Sequence, residues 1–243
     1  MSGERRWPGL DRTRRRKMSK ALNIQAVTFD VGGTLIRPWP SVGEVYSQVA
    51  AKHGQRIISP ALLDERFAAA WRGLENFHHG RDEWASLVDR VFEGLTEQPP
   101  SASFFPHLFD RFAEPDVWQI FDDVKPAIDA LASLGINLAV ISNWDERLQP
   151  LLERLGLRKY LETVVVSCEI GFSKPSPVIF EHAARKLGLA PEFILHVGDS
   201  TREDLRGAES AGFQARLIDR GQNVGAPDRI GSLLELERLA QGS

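Results

Sequence analysis

Two rhythms of apolar residues divide the chain. Between about residues 41 and 121 hydrophobic positions recur every three or four residues, the spacing of one helix face. Val42, Val45, Tyr46 and Val49 do so in SVGEVYSQVAAKHG, and Trp84, Leu87, Val88, Val91 and Phe92 in DEWASLVDRVFEGL. Helix punctuation agrees: Ser41 and Glu44 have capping-box spacing, Gly54 closes that segment, Ser59-Pro60 opens SPALLDERFAAAWRGL, and EQPPSAS breaks the chain before SFFPHLFDRF. From about Asp122 the rhythm changes. Short apolar runs (INLAVIS, TVVVSCEI, FILHVGD, QARLIDR) alternate with amphipathic stretches, and SLLELERLA follows the last of them. Continuous Val/Ile/Leu strands separated by such helices predict a parallel sheet covered on both faces. One more run, AVTF, precedes the helical block and ends at Asp30. The expected class is therefore α/β: a Rossmann-like parallel-sheet core from residues 21–37 and 122–243, with an inserted all-helical cap over 38–121.

Composition sharpens this picture in two places. With 42% hydrophobic and 26% charged residues the chain reads as globular, and no apolar run approaches the roughly 18 residues that a membrane span needs. A membrane partner is not expected. The net charge of -3 conceals an asymmetry, because residues 1–20 hold eight Lys/Arg against two acids. That basic tail is expected to be disordered, with Met18 an alternative start, and it leaves a nuclear or organellar address open beside the cytoplasmic location expected by default. The acidic remainder argues against nucleic acid as the main partner. A single cysteine, Cys168, excludes an internal disulfide, and its place in VVVSCEI predicts a buried, inert thiol on a strand.

In an open parallel sheet, ligands bind beyond the carboxyl ends of the strands. There this sequence places Asp30 after AVTF, Ser142-Asn143 after NLAVI, Lys174 in the turn after VVVSCEI, and Asp199 after FILHVG. Two aspartates on one rim repel unless a cation lies between them, which points to Mg²⁺, and Asp204 is close enough in sequence to join them. Lys174 would hold Asp30 ionised and neutralise a phosphoryl group, with Ser142 and the glycine turns completing an anion pocket. Taken singly, each has a plainer role: a helix N-cap for Asp204, a surface lysine, turn chemistry for Ser142-Asn143.

Together, DVGGT, ISN, KPSPVIF and GDSTREDLRGA, in this order, resemble the four motifs of the haloacid dehalogenase-like (HAD) hydrolase superfamily, and the helical insert is similar to its first type of cap. ISNWDERL and SKPSPVIF are closest in character to the subgroup called HAD-like hydrolase domain-containing protein 3. The resemblance implies that Asp30 is a nucleophile forming an aspartyl-phosphate, that Ser142 and Lys174 hold the transferring phosphoryl group of a small phosphorylated molecule, and that Gly33, Thr34 and Asn143 serve substrate binding. It also implies that Asp30, Asp199, Asp204 and the Gly32 carbonyl hold Mg²⁺.

Gly32 departs from that pattern. Phosphatases of the family usually carry there a second aspartate, which protonates the leaving oxygen and later activates water. Its absence admits three readings: a phosphohydrolase that favours good leaving groups or borrows an acid, a weak or inactive Mg²⁺- and phosphate-binding regulatory module, or dehalogenase or phosphonate hydrolase chemistry. His78 and His79, in ENFHHGRDEW, are candidates for the loan, although a solvated pair is the plainer reading. Phosphonate chemistry would require a cap lysine, and Lys52 reads as surface. Trp71, Phe77, Trp84 and Phe92 read as packing faces of the cap helices.

Overall fold

The computed structural model describes residues 23–74, 77–221 and 226–241; the basic tail of residues 1–20 lies outside the described residues. Six parallel strands form one sheet: β1 (Ala26–Phe29), β4 (Asn137–Ser142), β5 (Thr163–Val166), β6 (Ile194–Gly198), β7 (Gln214–Ile218) and β8 (Arg229–Ile230), in the order β5-β4-β1-β6-β7-β8. Side chains alternate between two faces, as the pleat requires. Val27, Phe29, Val140 and Val197 pack on one side with α5 (Val124–Ser133) and α6 (Leu148–Arg154), whereas Ala26, Ile141 and Val165 pack on the other with α8 (Pro177–Leu187). Strand order reverses at β1. The chain steps to β4 and β5 on one side and returns to β6 on the other, so the carboxyl ends of β4, β1 and β6 lie side by side.

The helical segment comprises α1 (Val42–Lys52), α2 (Pro60–Arg72), α3 (Arg81–Phe92) and α4 (Phe105–Arg111) around their own cluster of buried residues. Ser41 caps α1 by accepting from the Glu44 N–H, but the Glu44 side chain accepts from Gln48, so only half of the expected capping box forms. The chain leaves the sheet through β2 (Ile36–Pro38) and returns through β3 (Trp118–Ile120), which pair antiparallel and tie exit to entry.

One strand expectation is corrected. β5 ends at Val166, and Ser167–Ile170 forms a short helix, α7, because the Ser167 hydroxyl bonds the Trp144 backbone instead of continuing the ladder. Cys168 is consequently exposed, not buried. Partial burial and the neighbouring Glu169, Asp145 and Glu146 still push its thiol up to about 11, so it remains protonated at neutral pH.

Candidate active site

Asp30 follows β1, and its backbone N–H donates to the Val197 carbonyl, which fixes it against β6. Beyond it the chain turns tightly. The N–H groups of Thr34, Leu35 and Ile36 all converge on the Val31 carbonyl. Gly33 sits at φ 82°, and a Cβ there would collide with the Asp199 carboxylate, so both the turn and the close approach demand glycine.

A buried charge network stands behind Asp30. Lys174 Nζ donates to Asp30 Oδ1 at 2.7 Å and to Asp204 Oδ1 at 2.5 Å, and Ser142 Oγ donates to Asp30 Oδ1 at 3.2 Å. Asp204 also accepts the Ser200 N–H on Oδ2 and contacts His196 Nε2 at 3.1 Å. Because an ionised carboxylate only accepts, His196 carries its proton on Nε2, and its Nδ1 accepts from the Thr28 hydroxyl at 2.9 Å. A buried line thus runs Thr28, His196, Asp204, Lys174, Asp30.

Electrostatics follow from this order. Burial raises the pKa of Asp30 against the opposing pull of Lys174. For Asp204 burial is again the largest influence, but Lys174 and His196 together outweigh it and hold the carboxyl below its usual range. Burial alone would lower Lys174, and Asp204 and Asp30 keep it above its ordinary value. Asp199, at the rim, is pushed up to about 7 by desolvation and by Asp30 and Asp204.

Asp30, Asp199 and Asp204 each present an oxygen within 4.8 Å of the others. Three carboxylates against one ammonium leave excess negative charge among hard oxygen donors, which fits a divalent cation such as Mg²⁺. Asn143 lies on the same rim but acts on the backbone: its Oδ1 accepts from the Lys174 N–H, and its Nδ2 donates to the Lys174 carbonyl and to Glu203. Thr34 is wholly buried beneath the turn. Its hydroxyl has no hydrogen-bond partner among the described residues, and its carbonyl accepts from Arg220.

Facing this rim is a cavity of about 580 Å³ whose far walls come from the helical segment. Trp71 and Trp84 line it beside Phe67, Phe109 and Trp118, which corrects the reading of those two indoles as packing alone. Phe92 is core, as expected, and Phe77 packs edge-on against Trp71 and Trp84. His78 is exposed, whereas His79 is buried in the cavity wall at φ 64°, an uncommon backbone for a side chain other than glycine or asparagine, with Nδ1 unpartnered among the described residues. Burial lowers His79 to about 4. Lys52 is exposed on α1.

Two residues that the sequence reading passed over fasten the walls together. Asp145, buried, accepts from Trp84 Nε1 at 3.1 Å and pairs with Arg147, which in turn donates to the Phe109 carbonyl at 2.6 Å and lies over the Phe109 ring.

Comparisons with known proteins point to one family. Residues 24–212 match the family model described as haloacid dehalogenase-like hydrolase. The chain is 32% identical over 212 residues to a human protein called haloacid dehalogenase-like hydrolase domain-containing protein 3, covering 83% of this chain and 84% of that one. It is 42% identical over 215 residues to a glyceraldehyde 3-phosphate phosphatase of Methanopyrus kandleri, covering 82% and 85%. Among solved structures, an HAD phosphatase from Thermococcus onnurineus superposes with a TM-score of 0.66 at 26% identity over 90% of this chain and 99% of that one.

Proposed function

The chain belongs to the haloacid dehalogenase-like hydrolase family, and from that premise we propose that it is a Mg²⁺-dependent phosphohydrolase acting on a small phosphorylated molecule through an aspartyl-phosphate at Asp30. One observation carries the reading: Lys174 bridges Asp30 and Asp204 at the carboxyl ends of the strands while a third carboxylate, Asp199, stands beside them. A nucleophile needs its carboxylate ionised and its approach unblocked. Lys174 supplies the counter-charge, and Ser142 orients the attacking group.

Asp30, Asp199, Asp204 and the Gly32 carbonyl are the residues that would hold the metal. Mg²⁺, when bound there, supplies charge neutralisation for the phosphoryl oxygens. The Asp204 oxygens already receive Lys174, His196 and Ser200, so this residue also keeps the ammonium aimed at Asp30. The loaned acid has only one structural candidate of the two histidines. His79 reaches the cavity, but with its pKa near 4 it is neutral at pH 7, and a neutral imidazole serves as hydrogen-bond partner or base rather than as proton donor. Neither histidine therefore replaces the acid absent at position 32, and a leaving group that is acidic in itself departs most readily.

Hydrolysis of p-nitrophenyl phosphate, with and without Mg²⁺, tests the proposal. Turnover that requires Mg²⁺ and vanishes in Asp30→Asn is expected. Its absence in the native protein would instead support the binding-module reading that Gly32 also allows.

A further inference from the structure

We propose that the substrate is an aryl phosphate, a monoester of a phenolic hydroxyl whose ring lies between the aromatic walls of the cavity and beside Trp144. This deepens the phosphohydrolase reading and rests on it. Two independent observations lead to the same class of molecule.

The first concerns the space at Gly32. A Cβ there would meet Cζ3 of Trp144 at 3.3 Å, so an indole crowds the space that a side chain at this position would enter. Trp144 is held in place: its N–H donates to the Ser167 hydroxyl, its carbonyl accepts from the same hydroxyl, and its ring packs on Trp118 at 5.3 Å between centroids. Without a donor at position 32, the bond between phosphorus and the leaving oxygen breaks with both electrons going to that oxygen, as Asp30 forms its own bond to phosphorus. A phenolate accepts that pair readily, since a phenol ionises near a pKa of about 10, far below an alkanol. Water then attacks phosphorus, regenerates the Asp30 carboxylate and releases phosphate, and the phenolate takes a proton from solvent.

The second concerns the walls. Phe67, Trp71 and Trp84 stack in sequence, each neighbouring pair at 5.8 Å and 18°, and Trp71 remains 41% exposed. The stack leaves its outer faces and edges free, and these, with Phe109, Trp118 and Trp144 in the same lining, are apolar surfaces for a flat guest; offset or edge contacts between rings add to simple burial. A polyol phosphate would leave hydroxyls unpaired wherever it met these aromatic surfaces, at a cost for each. Arg147 is committed to Asp145 and the Phe109 carbonyl, so it offers no free cation to an acidic substrate.

Steady-state kinetics with the full chain and Mg²⁺ would compare three phosphates. Phenyl phosphate carries the ring; hexafluoroisopropyl phosphate has an alcohol of similar acidity and no ring; acetyl phosphate has a leaving group that needs no proton and reports the phosphohydrolase reading by itself. Phenyl phosphate is expected to exceed hexafluoroisopropyl phosphate about tenfold in kcat/KM. Trp71→Ala should erase most of that ratio and Trp71→Phe should keep it. Equal rates for the two esters, or a ratio indifferent to Trp71→Ala, would overturn the aryl proposal while Asp30-dependent acetyl phosphate hydrolysis left the broader reading standing. No turnover of any of the three would remove both.

Discussion

On the sheet side of the cavity charge is balanced by charge, with Lys174 between Asp30 and Asp204 and a neutral His196 behind them. On the helical side the walls are aromatic rings, and the buried imidazole of His79 keeps a nitrogen without a partner among the described residues. The rim has little freedom because each of its buried ionic groups costs several kcal/mol unless it is paired. Apart from the Trp84–Asp145–Arg147 fastening, the walls are under no such constraint. An aromatic lining excludes water from any guest of suitable shape, so it can be altered without disturbing the chemistry opposite.

Substitutions on the rim should break this division most severely. Lys174→Met leaves two buried carboxylates without their cation, and should lower turnover about 10³-fold and stability by about 3–5 kcal/mol, read by kinetics and by urea unfolding. Asp30→Asn separates those two effects. Burial raises the Asp30 pKa, so the native state disfavours its charged form at pH 7, and in metal-free buffer the variant should melt a few degrees higher while losing all activity.

Exchanging the character of the two sides gives a smaller effect. Gly32→Asp alone places its Cβ 3.3 Å from the Trp144 ring and should gain little, whereas Gly32→Asp combined with Trp144→Ala should raise kcat for an alkyl phosphate such as glyceraldehyde 3-phosphate about 10²-fold. A gain from the single variant equal to that from the pair would show that the indole is no obstacle.

Loosening the fastening between the sides should cost less again. Asp145→Ala removes the acceptor of Trp84 Nε1 and the partner of Arg147, and should raise KM about tenfold and speed exchange of the Trp84 indole proton by NMR. The smallest effect lies where the chain re-enters the sheet core, at the start of α5. Asp123 accepts from Arg220, Ser232 and the Leu233 N–H; burial alone would raise it, but these bonds outweigh burial and depress its pKa. A depressed carboxyl stabilises the fold above its ordinary value of 3.8, and that contribution is lost as pH falls through the lower folded value. Asp123→Asn should therefore lower Tm at pH 7 and approach the native Tm in strong acid.

The same division explains what could be read from the chain. Asp30, Ser142 and Asp199 were legible because each ends an apolar run, and strand ends converge in a parallel sheet; Lys174 was legible from the turn after β5. His196 was not, although a histidine inside the run ILHVG was a signal: it lies opposite Thr28 in the strand register and closes the line to Asp204. Trp71 and Trp84 were assigned to the core because helical periodicity marks a residue as facing inward without telling a packed interior from a cavity shared with the sheet. β2 and β3 escaped notice because three-residue strands hold too little alternation to register, and one contains Pro38. Cys168 was misplaced because an apolar run does not show where its ladder stops.

Asp30 is expected to become phosphorylated in a site that lacks a proton donor and a base at position 32. Loss of that base slows attack by water more than it slows departure of an acidic phenol, so the acyl-phosphate should accumulate. Rapid mixing of phenyl phosphate with the Mg²⁺-loaded protein, acid quenching and mass analysis of the peptide containing Asp30 tests this directly. A burst of phenol close to one per chain, matched by one phosphoryl group on that peptide and absent from Asp30→Asn, is the predicted result. Phenol released without a phosphoryl group ever appearing on Asp30, or released equally by Asp30→Asn, would contradict it.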